Sequence, residues 1–117
     1  MAFRFTQFKV YTDAKTLHQE TVRLTKKFPR EFLYLRDQLR RSSLSSVLNI
    51  AEGSAKRSDK DFNRYLENSM GSVNETAAAF DVAYSEKLIS ASELKIILQL
   101  CAEVVNQLGG FSKKLSK

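Results

Sequence analysis

The chain has one cysteine, one proline, four glycines and no apolar run of membrane-spanning length. Each shortage excludes something. A single thiol, Cys101, forbids an internal disulfide, so the sequence carries no mark of an oxidising compartment. A membrane-spanning helix needs about 18 or more consecutive apolar residues, and no stretch approaches that. The opening Met1-Ala-Phe-Arg-Phe-Thr-Gln7 has no apolar core followed by a small-residue cleavage site, so a cytoplasmic location is expected. One histidine and one cysteine cannot make a zinc site. No phosphate-binding loop, activated nucleophile or metal set is visible, so a non-enzymatic protein without cofactors is expected. With so little proline and glycine, long uninterrupted helices are allowed.

What is present suits a soluble domain: 43% of residues are hydrophobic and 27% charged. The length of 117 residues predicts a single domain, 1–117, with an N-terminal arm over residues 1–11. The net charge is +6 and the pI about 9.6. Residues 1–64 hold 14 Lys and Arg against 7 Asp and Glu, whereas residues 65–117 hold 5 against 6. A basic half attracts polyanions, and a charge of this size serves solubility equally well.

Helical periodicity covers most of the chain. Ala14, Leu17, Thr21, Leu24 and Phe28 recur every three to four residues, predicting a helix over 12–27 with Thr12 as its cap. Pro29 ends it and starts a second helix, striped by Phe32, Leu35, Leu39, Ser43, Ser46 and Ile50, that runs toward Gly53. Ser58 with Asp61 predicts a capped start for a third, striped by Phe62, Leu66, Ser69, Val73, Thr76, Phe80 and Ala83 and stopping near Lys87. Ser90 with Glu93 reads as a capping box for a fourth. Its broad apolar face is Leu94, Ile97, Leu98, Cys101, Val104, Val105, Leu108, Phe111 and Leu115, and Gly109-Gly110 is expected to bend or fray its last turns. Helices two and three are each expected to exceed 25 residues, about 40 Å of helix. Strand-like alternation is absent. Short connections between long helices predict an all-α, antiparallel up-down-up-down four-helix bundle.

Polar residues inside these helices supply the candidate sites. Arg40, Arg41, Lys56, Arg57, Lys60 and Arg64 form a candidate nucleic-acid-binding face. Arg57, Lys60 and Arg64 share helical spacing and suit a phosphate backbone, largely without sequence preference. The same residues read equally as a solvated face paired locally with Asp59, Asp61 and Glu67. Lys26, Lys27 and Arg30 make a second basic cluster. Asn49, Glu52 and Glu75 sit among apolar residues and are expected to form a structural polar network, with Arg40 or Arg41 pairing Glu52 or Glu75 between helices or subunits. Ser42, Ser43, Ser45, Ser46, Ser69, Gly71 and Ser72 look like a close-packing set between helices two and three. His18 is expected at the surface and Cys101 in the core. Phe3, Phe5, Phe8 and Tyr11 either stack on bases or, as expected here, pack on the bundle from an extended arm.

Several of these pieces together resemble the family named four helix bundle protein. They are Phe28-Pro29, Gln38-Leu-Arg-Arg41, Asn49-Ile-Ala-Glu-Gly53, Phe62 with Tyr65-Leu66, Gly71-Ser72 with Glu75, and Glu93-Leu94. Members include proteins encoded in intervening sequences of bacterial 23S ribosomal RNA genes, often labelled ribosomal proteins. One departure is Ser45-Ser-Val-Leu-Asn49, which lacks the proline common there and implies a straighter second helix. The resemblance implies a ring-shaped homopentamer. A related branch, the accessory protein of diversity-generating retroelements, works with a reverse transcriptase and nucleic acid. RNA or DNA and a protein such as a reverse transcriptase are therefore the expected partners. A protein–protein adaptor with no nucleic-acid role is the alternative.

Overall fold

A computed structural model describes residues 3–116, so Met1 and Ala2 of the expected arm, and Lys117, lie outside it. Four helices fill it: α1 (Lys9–Thr25), α2 (Leu33–Ser54), α3 (Asp59–Ser85) and α4 (Ala91–Leu115), with 3-10 turns at Arg4–Gln7 and Arg30–Phe32. Contacts across each seam run in opposite chain directions. Ser42 meets Thr76 and Ser45 meets Ser72; His18 meets Ser43 while Thr25 meets Arg40; Asp13 meets Gln107 while Lys27 meets Glu93. The helices therefore run up, down, up and down in a body of 44 × 23 × 19 Å.

The apolar stripes point inward. All seven striped residues of α3 are buried, as are Ala14, Leu17, Thr21, Leu24 and Phe28 from the first segment. Leu35, Leu39, Ser43, Ser46 and Ile50 do the same on α2, and Ile97, Cys101, Val104 and Leu108 on α4. Serines replace large side chains where α2 meets α3. Ser42 Oγ lies 2.7 Å from Thr76 Oγ1, Ser45 Oγ lies 2.9 Å from Ser72 Oγ, and Ser69 Oγ donates to the Ser46 carbonyl at 2.7 Å. Small side chains let the two backbones approach, and each buried hydroxyl finds an acceptor, which removes its desolvation cost. Gly53 closes the same seam: a Cβ there would stand 2.7 Å from Tyr65 Cβ and 2.9 Å from Phe62 Cδ1. Gly71 does not belong to the seam, because it is exposed and a Cβ there would touch nothing within 4 Å.

Several boundaries differ from the sequence pattern. α1 begins at Lys9, not Thr12, and its cap position, Phe8, makes no side-chain capping bond. Packing sets this start, since the Phe8 ring sits against Phe62 (6.2 Å) and Phe111 (5.2 Å). The arm is accordingly shorter and coiled into a 3-10 turn instead of extended. Pro29 leads into the turn Arg30–Phe32, so α2 starts at Leu33 and has 22 residues, while α3 has 27. α3 ends with Lys87 in the left-handed region (φ 63°), its N–H bonded to Tyr84 O and that of Leu88 to Ala83 O. Both expected serine caps form. Ser58 accepts from Asp61 N–H, and Ser90 and Glu93 complete a capping box. α4 runs unbroken through Gly109-Gly110 to Leu115, because Leu108 is buried and Phe111 packs on Phe8 and Phe62. Among the described residues no helix is long and apolar enough to cross a membrane.

Candidate nucleic-acid interface

The start of α1, the end of α2, the start of α3 and the end of α4 meet at one end of the bundle. Phe8, Phe62 and Phe111 knot three of these segments together through their rings. Arg4 ties in the fourth: its Nε donates to the Ser54 carbonyl at 2.9 Å, and its guanidinium lies 5.3 Å from the Phe62 ring centre. That carbonyl is one of those left without a helical partner at the end of α2, where a cation is favoured.

Cations collect around this knot. Lys56 stands 5.0 Å over the Tyr65 ring, and Arg57 is exposed in the turn between α2 and α3. Lys60 and Arg64 are exposed one turn apart on α3, with Arg64 3.8 Å from Asp61. Lys9 pairs with Asp13 at 2.6 Å, and Lys113 and Lys114 are exposed in the last turns of α4. The hydrogen bond from Lys9, then that from Gln107, holds the Asp13 carboxyl below its ordinary range, so that pair stays ionised. Among the described residues Arg57, Lys60, Lys113 and Lys114 make no ion pair. The acids around this end include Asp13, Glu52, Asp59 and Asp61, and Glu103 acts on Lys9 from α4.

The six residues read from the sequence as one basic face separate in the structure. Lys56, Arg57, Lys60 and Arg64 come together, but Arg57 lies in the turn before α3, so helical spacing does not place it. Arg40 is half-buried against α1, donating through Nε to Thr25 Oγ1 (2.9 Å) and through Nη2 to the Val22 carbonyl (3.4 Å). It tethers α2 to α1. Arg41 is exposed on the outer side of α2, 13 positions before Ser54 and so about 20 Å from the turn. The residues missed were Arg4, Lys9, Lys113 and Lys114. Only topology brings them to this end, and the cluster of aromatics around Arg4 was the one local signal.

The expected polar network does not form within the chain. Glu52 and Glu75 are exposed, and neither reaches Arg40 or Arg41. Each sits two residues after a buried one, Ile50 or Val73, which turns it about 200° away from the core. Glu75 instead accepts from the Gln38 amide, and Asn49 donates to the Ser45 carbonyl at 2.9 Å. His18 is only partly at the surface. It is half-buried, with Nδ1 2.7 Å from Ser43 Oγ, and burial, then the Arg40 charge, lowers its pKa from 6.5. Cys101 lies in the core as expected, its thiol pushed up to about 12 by burial. Phe5 packs on Tyr11 (4.8 Å), and Phe8 on the bundle. Among the described residues no three of His, Cys, Asp and Glu gather into a metal-binding group.

Comparison with known proteins adds one positive result. The family model described as 23S rRNA-intervening sequence protein matches residues 6–110. No curated protein matches the chain.

Proposed function

This chain belongs to the 23S rRNA-intervening sequence protein family, and from that premise we propose that it is a non-enzymatic homo-oligomer that binds RNA or DNA through the basic end of its bundle. The observation that carries the reading is convergence. Cations from four separate stretches of chain meet at one end: the arm, the start of α1, the turn between α2 and α3 with the first turns of α3, and the end of α4. Four of them, Arg57, Lys60, Lys113 and Lys114, have no acidic partner among the described residues. A cation without a partner keeps its full attraction for a phosphate, whereas Lys9, held by Asp13, has spent much of it.

Such a surface holds phosphates and reads no base edges, so binding is strong at low salt, weak in sequence preference, and driven by counterion release. The assembly is expected to be a homopentamer, which multiplies the basic end several times over one particle and raises its avidity for a long polyanion. The test is binding of labelled structured RNA, single-stranded RNA and duplex DNA by wild type and by Arg57→Glu/Lys60→Glu/Arg64→Glu. Binding by wild type that the variant loses supports the reading. Absence of binding at low salt overturns it and turns attention to an acidic protein partner, such as a reverse transcriptase.

A further inference from the structure

A cleft of about 420 Å³ opens at the basic end of the bundle, between the start of α1 and the end of α4. Gln107, Gly110, Phe111 and Lys114 line it from α4. Their spacing of three and four places them in one stripe over two turns, about 10 Å of helix. Phe8 and the first residues of α1 form the facing wall. Phe8 and Phe111 are half-buried, with ring centres 5.2 Å apart and planes at 76°. Both rings pack on Phe62 and also wall the cleft, so a flat ring laid on one meets the other edge-on.

Gly110 is exposed within this stripe, and a Cβ there would meet nothing within 4 Å. It costs helix stability, and no neighbour within the chain requires it. It does leave the α4 wall at the level of the backbone, which keeps the cleft open to the phenylalanines. Charge is graded along the stripe. Glu103 lies one turn before Gln107, and the Gln107 amide donates to Asp13 at 2.7 Å, so both acids sit toward the inner end. Lys9 neutralises Asp13 there at 2.6 Å. Lys114 stands at the outer mouth and makes no ion pair among the described residues. α1 begins without a side-chain cap or an acid in its first turn, which adds to the positive potential on the facing wall.

We infer that the cleft takes one unstacked base of a single-stranded nucleic acid, stacked on Phe8 or Phe111, with a flanking phosphate on Lys114. This rests on the nucleic-acid reading above and adds the class of strand. An aromatic wall with a free cation at its mouth matches a flat ring that carries an anion, and the surrounding cations hold the neighbouring phosphates. Stacking accepts any base, so weak sequence preference is kept. A duplex must unpair and unstack a base before offering it, so the cleft makes this end favour single strands.

The test is affinity at low salt for a single-stranded DNA and for a strand of equal length built of abasic sites, which keeps the phosphates and lacks the bases. Wild type is expected to bind the base-bearing strand about tenfold or more tightly. Gly110→Leu fills the cleft and removes no charge, and is expected to bind both strands equally. Gly109→Leu adds the same bulk one position away, outside the cleft lining, and is expected to keep the wild-type ratio. Circular dichroism checks that both variants fold. Equal binding of the two strands by wild type overturns base capture and leaves the basic-end reading standing. A Gly110→Leu protein that keeps the wild-type ratio overturns the cleft as the place. A fall in its molar mass by light scattering puts a second copy in the cleft and overturns the inference too. Absence of binding to either strand overturns both readings.

Discussion

Single residues carry different weights that the sequence alone does not separate. Gly53 and Gly109 look alike as glycines within helical runs, yet Gly53 is wedged against Tyr65 and Phe62 whereas Gly109 borders open space. Gly53→Ala should destabilise the fold by about 1–3 kcal/mol through overpacking. Gly109→Ala should stabilise it by up to about 1 kcal/mol through helix propensity. Chemical denaturation of the two variants checks both signs. His18 is a second case, where a lone polar residue on α1 reads as solvated until the Ser43 hydroxyl and the Arg40 charge are placed beside it. Its folded pKa lies below 6.5, so the unfolded chain binds the proton more readily. Its contribution to stability is complete above 6.5 and is lost as pH falls through 6.5 toward the lower folded value. The melting temperature should fall over that window, and His18→Gln should flatten the fall.

At the level of the helices the sequence was most legible where burial follows a simple period. The stripe of α3 named every buried residue of that helix, and that of α1 missed only Val10 and Thr25, because one wide apolar arc faces one core. The start of α1 was missed because aromatic packing by Phe8, and no polar cap, decides it. The serine-rich seam was legible as a steric need, and its mechanism is the hydroxyl ladder from Ser42–Thr76 to Ser45–Ser72 and Ser69–Ser46. Ser46→Leu should therefore cost about 1–3 kcal/mol by forcing α2 and α3 apart, despite its greater apolar area. A Ser69→Ala change removes one hydrogen bond and keeps the spacing, and should cost about 1 kcal/mol. Thermal unfolding of both variants distinguishes spacing from bonding as the source of stability.

For the whole molecule, topology decides what sequence spacing cannot. Arg40 looked equivalent to Arg41 in the chain, but only Arg40 finds the Thr25 hydroxyl across the α1–α2 seam and is half-buried there. Arg4 and Lys114 are far apart in sequence and meet at the same end because the helices alternate in direction. The functional account stands on that end acting as a polyanion site. Its most direct test is the dependence of RNA and duplex DNA affinity on salt concentration, for wild type and for Arg57→Glu/Lys60→Glu/Arg64→Glu. Each phosphate contact contributes a logarithmic slope of about −0.9 on duplex DNA and about −0.7 on a single strand. The account predicts a steep wild-type slope on both, and a variant that binds weakly with a slope shallower by about two units or more. Equal slopes for the two proteins would contradict it, since the bound phosphates would then lie elsewhere.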